Sequence, residues 1–308
     1  MNKTLYVITP IFNPCLFKSR IKLYNNFKHH MEESGVKLLT VEAAFGKHDW
    51  EATTHVNPMN LQFRTNQILW HKERLINLGL EYLYRYVPDA EYIAWIDSDV
   101  TFANPNWVEE TIHKLMYHKV IQPFSQAINL NAREESMWTC PGTFSAFINE
   151  RGYHQNPPIL PRYLYKGHPG LAWASTKTTL QELGGLYDLC VAGSGDTVMA
   201  NCFRGKWDSN LPAFPSEGIS KNINEWSKKC DKYVIANVGY ANGSCLHHWH
   251  GKSEDRGYEK RWSVLSFHKF EPLVDVIVDH QGLYAWAGNK PQLEDDIRLS
   301  LTGRNEDA

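Results

Sequence analysis

Short apolar runs alternate with segments of helical periodicity through the first third of the chain, and this alternation restricts the fold more than any other feature. Leu5-Tyr6-Val7-Ile8 reads as a buried strand stopped by Thr9-Pro10. Phe17, Ile21, Tyr24, Phe27 and Met31 recur at helical spacing, and Gly35 closes that helix. A second strand covers residues 37–41, and a long irregular stretch follows over 43–58. Leu69, Leu75, Ile76, Leu80, Leu83 and Val87 mark a helix over 66–87. Tyr92-Ile93-Ala94-Trp95-Ile96 is a central strand that runs straight into Asp97-Ser98-Asp99. Asn106 with Glu109 has the form of a capping box for a helix to Tyr117. This order predicts an α/β fold with a mainly parallel central sheet flanked by helices.

The second half is less regular and richer in Gly, Pro and Trp. Helices are expected over 176–183 and 196–203. Residues 1–262 are expected to form one domain, with 263–308 as a C-terminal arm packing on it. With 43% hydrophobic residues in 308, a sizeable core is available. A net charge of −2 gives no global reason to bind nucleic acid or an anionic membrane. The six cysteines are scattered without a C-x-x-C pair, which excludes a zinc ribbon and predicts reduced thiols in a cytoplasmic protein. No run is long and apolar enough for a membrane span. Nothing in the composition fixes an oligomeric state.

Two carboxylates one residue apart, Asp97 and Asp99, stand where a buried strand ends. In open α/β sheets ligands bind beyond the carboxyl ends of strands. Such a pair suits a hard divalent cation, Mn²⁺ or Mg²⁺, bridging a diphosphate. An ordinary acidic turn has the same composition. His247-His248-Trp249-His250-Gly251 puts three imidazoles within four positions, more than packing requires, with His250 the first candidate ligand and His247 the second. Gly193-Ser194-Gly195-Asp196 opens a helix, so Asp196 is either an N-cap or a general base facing an acceptor hydroxyl. Thr9-Pro10-Ile11-Phe12-Asn13 after the first strand, and Glu42 at the end of the second, are candidates for holding a nucleoside. Arg64, Lys72, Lys252 and Arg256 are candidates for phosphates, and Trp173 and Trp249 for stacking on sugar rings. Each has a plain alternative as surface charge or core.

Together these features resemble the GT-A superfamily of glycosyltransferases, particularly its family-2-like members, over residues 4–262. The overall texture, including Arg304-Asn305-Glu306-Asp307, is similar to bacteriophage and bacterial members. Pro10-x-x-Asn13 is similar to the family's nucleotide-binding opening, and Asp97-Ser98-Asp99 to its D-x-D motif for metal and donor diphosphate. The stretches 170–174 and 183–188 look like its acceptor and sugar pocket. Gly195-Asp196 sits where inverting members carry the acidic base, and His250 corresponds to a late metal-ligand histidine. A single acid stands before Thr197 where many members have a pair or run. Arg261-Trp262 lacks the preceding Gln of processive synthases.

The resemblance implies transfer of a single sugar from a nucleotide-sugar donor, UDP-linked by preference, to an acceptor hydroxyl. In that reading the base lies near Phe12, Asn13 and Glu42, the metal on Asp99 and His250 with Asp97 and His247, and Ser98 beside the donor. The acceptor is either a glycan or a hydroxymethylated pyrimidine in phage DNA, the latter suggested by Lys252, Arg256, Lys260 and Arg261. A sugar nucleotidyltransferase is the rival enzyme class, but the start of the chain lacks its Gly-rich phosphate loop. A carbohydrate-binding module is the non-enzymatic rival, and the β-α-β opening argues against it.

Overall fold

A computed structural model describes residues 3–149, 167–205, 216–257 and 261–307. In chain order the first half comprises β1 (Leu5–Phe12), α1 (Lys18–Glu33), β2 (Lys37–Phe45), β3 (Asn60–Thr65), α2 (Lys72–Tyr86), β4 (Tyr92–Ile96), β5 (Val100–Phe102), α3 (Trp107–Leu115), β6 (Val120–Gln122), β7 (Gln126–Leu130), β8 (Ser136–Pro141) and α4 (Thr143–Ile148). The second half comprises β9 (Ala172–Thr176), α5 (Lys177–Leu183), α6 (Gly195–Phe203), α7 (Glu217–Tyr233), β10 (Val238–Tyr240), β11 (Ser244–His247), α8 (Arg261–Phe267), α9 (Pro272–Asp275), β12 (Val276–Val278), β13 (Tyr284–Trp286) and α10 (Pro291–Thr302).

Seven strands form the central sheet in the order β10-β6-β9-β4-β1-β2-β3. Every neighbouring pair is parallel except those involving β9, which runs antiparallel to both β4 and β6. The chain is therefore α/β with a mainly parallel central sheet. β4 is buried at all five positions because both faces of the sheet are covered. Its side chains alternate between two cores: Ile93 and Trp95 pack with α2, α5, α6 and α7, while Tyr92, Ala94 and Ile96 pack with α1 and α3. A smaller sheet, β5-β11-β7-β8, stands beyond the end of β4.

Local chemistry accounts for most boundaries. Thr176 caps α5 by accepting from the Thr179 N–H, and Gly184 ends that helix in the left-handed conformation. α7 buries Ile219, Ile223, Trp226 and Cys230 along one stripe, and Ser216 caps it.

Several expectations need correction. The helix expected over 66–87 starts only at Lys72, because the Trp70 N–H is bonded to Val191 O (2.8 Å). The second strand runs on to Phe45, and part of the apparently irregular region leads into the edge strand β3. Asn106 stands before α3, but its side chain makes no cap hydrogen bond. Apart from these corrections, residues 262 and 263 both lie within α8, and Leu265, Phe270, Leu293 and Ile297 share a core with Leu75 and Trp173.

Candidate metal centre and cleft

The small sheet brings the two ends of the candidate site together. β5 pairs antiparallel with β11, with Val100 opposite His247, and the His248 N–H donates to Asp99 O at 2.9 Å. Asp99 Oδ2 lies 3.0 Å from His250 Nε2 and 3.7 Å from His247 Nε2. The two imidazole Nε2 atoms are 2.9 Å apart. Asn129 Oδ1, on β7, accepts from His247 Nδ1 at 2.6 Å. In the neutral ring that bond places the proton on Nδ1 and turns the Nε2 lone pair to the centre.

These residues fit a divalent cation. Two imidazole nitrogens and a carboxylate oxygen lie within 4.8 Å of one another. Asp99 Oδ1 is buried and has no hydrogen-bond partner, and a buried carboxylate oxygen ordinarily has one. The Arg256 guanidinium donates to His250 Nε2, so that nitrogen is unprotonated, and a cation bound there would take the place of this contact. Burial raises the Asp99 carboxyl, but His247, by hydrogen bond and charge, with Arg256 and Lys72, holds it well below the usual carboxylate range. A mixed nitrogen and oxygen donor set suits Mn²⁺ better than Mg²⁺, which prefers oxygen alone.

The centre opens into a cleft of about 470 Å³. On the floor, Lys72 Nζ lies 2.7 Å from Asp97 Oδ1 and 3.1 Å from Asp196 Oδ2. Both acids face the cleft, while the Lys72 ammonium is largely buried and its pKa is strongly raised by Asp196 and Asp97 against the cost of burial. Behind them Glu73 is 1% exposed, and its Oε1 has no hydrogen-bond partner. Burial, together with the charges of Asp196 and Asp97 and opposed by Lys72, pushes the Glu73 pKa up to about 8. Gly195 is needed for close approach: a Cβ there would stand 2.6 Å from Glu73 Oε1. That glycine therefore serves a buried carboxyl rather than a ligand.

Of the other residues singled out in the sequence, Pro10, Phe12, Ser98, Trp249, Lys252 and Arg256 line the cleft. Four do not. Asn13 bonds Phe17 O and Glu51. Glu42 is 4% exposed and accepts from the N–H groups of Glu51 and Ala52 and from Thr53 Oγ1 at 2.6 Å, so its oxygens fasten the loop after β2 rather than a nucleoside. Arg64 donates to Gly46 O and His48 O and lies over the Trp50 ring. Trp173 is 1% exposed and packed among Trp95, Phe144 and Phe203, which makes it core. Arg256 is buried against His250 and offers no charge to an external polyanion. Lys260 and the Arg261 side chain lie outside the described residues.

Sequence reasoning missed Arg20, Trp138, His168, Arg304 and Glu306, all of which line the cleft. His168 opens on the cleft beside Trp138, with ring centroids 6.4 Å apart and an interplanar angle of 17°. Its Nδ1 accepts from the Gly170 N–H (3.2 Å), which leaves Nε2 as the donor of the neutral ring. Burial, with the charges of His247 and Lys72, pushes its pKa down to about 3. The one sequence signal for His168 was its place two residues before Gly170 in the stretch already marked for the acceptor pocket.

No known protein family description matches the sequence. No curated protein is significantly similar to it. Among solved structures, the catalytic domain of Drosophila β1,4-galactosyltransferase 7 in complex with xylobiose aligns at TM-score 0.34 and 10% identity, over 68% of this chain and 66% of that one, just under two thirds of its length. A variant of the same enzyme in complex with manganese, UDP-Gal and xylobiose aligns at TM-score 0.38 and 10% identity, over 94% of this chain and 97% of that one. Glucosyl-3-phosphoglycerate synthase from Mycobacterium tuberculosis, in complex with Mg²⁺ and UDP, aligns at TM-score 0.36 and 12% identity, over 87% and 79% of the two chains. Likeness at this level says nothing of function by itself, and the fold class stands on the strand order above.

Proposed function

We propose that this chain is a metal-dependent glycosyltransferase of the GT-A type that moves one sugar from a nucleotide-sugar donor, UDP-linked, to an acceptor hydroxyl. The observation that carries the reading is the cluster of Asp99, His247 and His250 at the edge of a cleft whose floor holds Asp97, Lys72 and Asp196. Asp99, His247 and His250 would hold Mn²⁺ or Mg²⁺. A cation there supplies Lewis-acid neutralisation of a diphosphate leaving group.

The protein's own residues do the rest. Pro10 and Phe12 form an apolar wall against which a nucleoside packs, with Phe12 edge-on to His71 at 4.9 Å. Asp196 takes the proton of the acceptor hydroxyl. Lys72 donates to both Asp196 oxygens and to Asp97, which fixes the Asp196 carboxylate in place at the cleft. Ser98 and Lys252, at the rim, are placed for donor oxygens. The acceptor is a hydroxyl on a glycan or on a hydroxymethylated base.

The test combines ligands. Thermal unfolding is followed with a panel of nucleotide sugars, with and without Mn²⁺. A bound ligand at 100 times its Kd adds about 2.7 kcal/mol of apparent stability. The reading expects a shift that needs both a UDP-sugar and the metal, and slow hydrolysis of that donor. Asp99→Asn is expected to abolish both while leaving the metal-free unfolding temperature near that of the parent. Normal turnover by that variant with added Mn²⁺ would contradict the assignment.

A further inference from the structure

Residues 304–307 lie against the wall of the cleft and join three parts of it that are distant in sequence. The Asp307 carboxylate accepts the N–H groups of Lys18 and Ser19 at 3.0 and 2.8 Å, in the first turn of α1. Helix-start amides and the helix dipole favour a carboxylate there. Glu306 is 2% exposed and accepts from Arg20 Nε at 2.5 Å and Nη2 at 2.7 Å. Arg20 Nη1 in turn donates to Phe12 O at 2.9 Å, at the end of β1. The Arg304 guanidinium sits 4.8 Å over the Trp70 ring, just ahead of α2.

The backbone of the same residues presses on the turn that carries His250. Gly251 has φ +92°, and a Cβ on it would stand 3.0 Å from Asn305 O and 3.1 Å from Glu306 Cα. β11 ends at His247, so no strand pairing holds His250. Its ring, in contact with Asp99, His247 and Arg256, is carried on a turn outside the strand.

We propose that residues 304–307 form a clamp that positions His250 for cation binding, with Glu306 as its buried anchor; the proposal rests on the cation site described above. Glu306 acts through the backbone contact at Gly251 and not as a ligand. The Arg20–Glu306 pair is bidentate, with Glu306 buried and Arg20 half-buried, a geometry in which charge-assisted hydrogen bonds fix orientation as well as contribute energy. Residues that orient a metal ligand typically change affinity by about 10- to 100-fold when altered.

Two measurements on the full chain separate the clamp from the site. The first is Mn²⁺ titration followed by electron paramagnetic resonance, on the parent, Glu306→Gln, Asp307→Asn and Asp99→Asn. The second is amide hydrogen exchange of residues 247–251 without metal. The proposal expects faster exchange in that turn for Glu306→Gln and Mn²⁺ affinity lower by about 10- to 100-fold. Asp307→Asn alters only an exposed helix-cap contact, so it tests the same point should Glu306→Gln fail to fold. It is expected to show a smaller loss in the same direction. Unchanged Mn²⁺ affinity in both folded variants would overturn the proposal, whatever the exchange shows. Failure of the parent to bind Mn²⁺ in a manner sensitive to Asp99→Asn would sink the cation site itself. The metal-free exchange then decides whether residues 304–307 hold the turn at all, and an unchanged rate there removes the clamp too.

Discussion

Glu73 offers a quantitative test of the cleft floor. Its carboxyl is buried and lacks a partner for Oε1, and burial, with the charges of Asp196 and Asp97, pushes its pKa up from 4.5 to about 8. A raised folded-state pKa means that the native protein binds a proton the unfolded chain releases. The resulting stability is fully present below about pH 4.5 and is lost as the pH climbs through about 8. At about 1.36 kcal/mol per pH unit, the gap between 4.5 and about 8 corresponds to several kcal/mol. With a urea m-value of about 3 kcal/mol/M, that is a midpoint change on the order of 1.5 M. Glu73→Gln keeps the shape and removes the titration. Urea midpoints for parent and variant at pH 5, 7 and 9 give by difference the contribution of Glu73 together with its coupling to Asp97 and Asp196. The two are expected to agree within about 1 kcal/mol at pH 5. At pH 9 the variant is expected to be the more stable by several kcal/mol. A difference that stays constant from pH 5 to pH 9 would refute the claim that this carboxyl is neutral in the folded protein.

Three further outcomes follow from contacts in and around the cleft. Gly195→Ala drives a methyl group to 2.6 Å from Glu73 Oε1 and is expected to cost about 1–3 kcal/mol in chemical denaturation. Asn129→Ala removes the acceptor that fixes the His247 ring, and calorimetry is expected to show Mn²⁺ binding about 10- to 100-fold weaker. Trp173→Ala empties a core position and is expected to cost about 3–5 kcal/mol by the same denaturant assay, while Trp173→Phe leaves donor affinity in the thermal-shift assay unchanged.

The sequence carried the fold where local signals and tertiary demands agree. β4 was legible because five consecutive apolar residues end on an acid, and a strand buried on both faces needs just that. α5 and α6 were legible from Thr176 and from the Gly-Ser-Gly turn before Asp196. β3 was not, because Asn-Leu-Gln-Phe-Arg-Thr lies at a sheet edge with no apolar run to mark it. α7 could have been found from Ile219, Ile223, Trp226 and Cys230, whose spacing follows one helix face.

The candidate site divides in the same way. Asp99 was marked by its place after a buried strand and His247 and His250 by their clustering, and the β5–β11 pairing explains how positions so far apart in sequence meet. Glu42 and Trp173 misled because a carboxylate at a strand end and a Trp flanked by alanines look alike whether they meet a ligand, a loop or a core. Nothing in the sequence marked Arg20 and Glu306 as partners, since an ion pair nearly the whole length of the chain apart leaves no local pattern.

The central claim is that one divalent cation is held jointly by Asp99, His247 and His250. Crystals soaked with Mn²⁺ and UDP, measured at a wavelength where manganese scatters anomalously, test it most directly. A single strong peak within coordination distance of the Asp99 carboxylate and the His247 and His250 Nε2 atoms is the expected result. A peak elsewhere in the cleft, or none beside these three side chains, would contradict it.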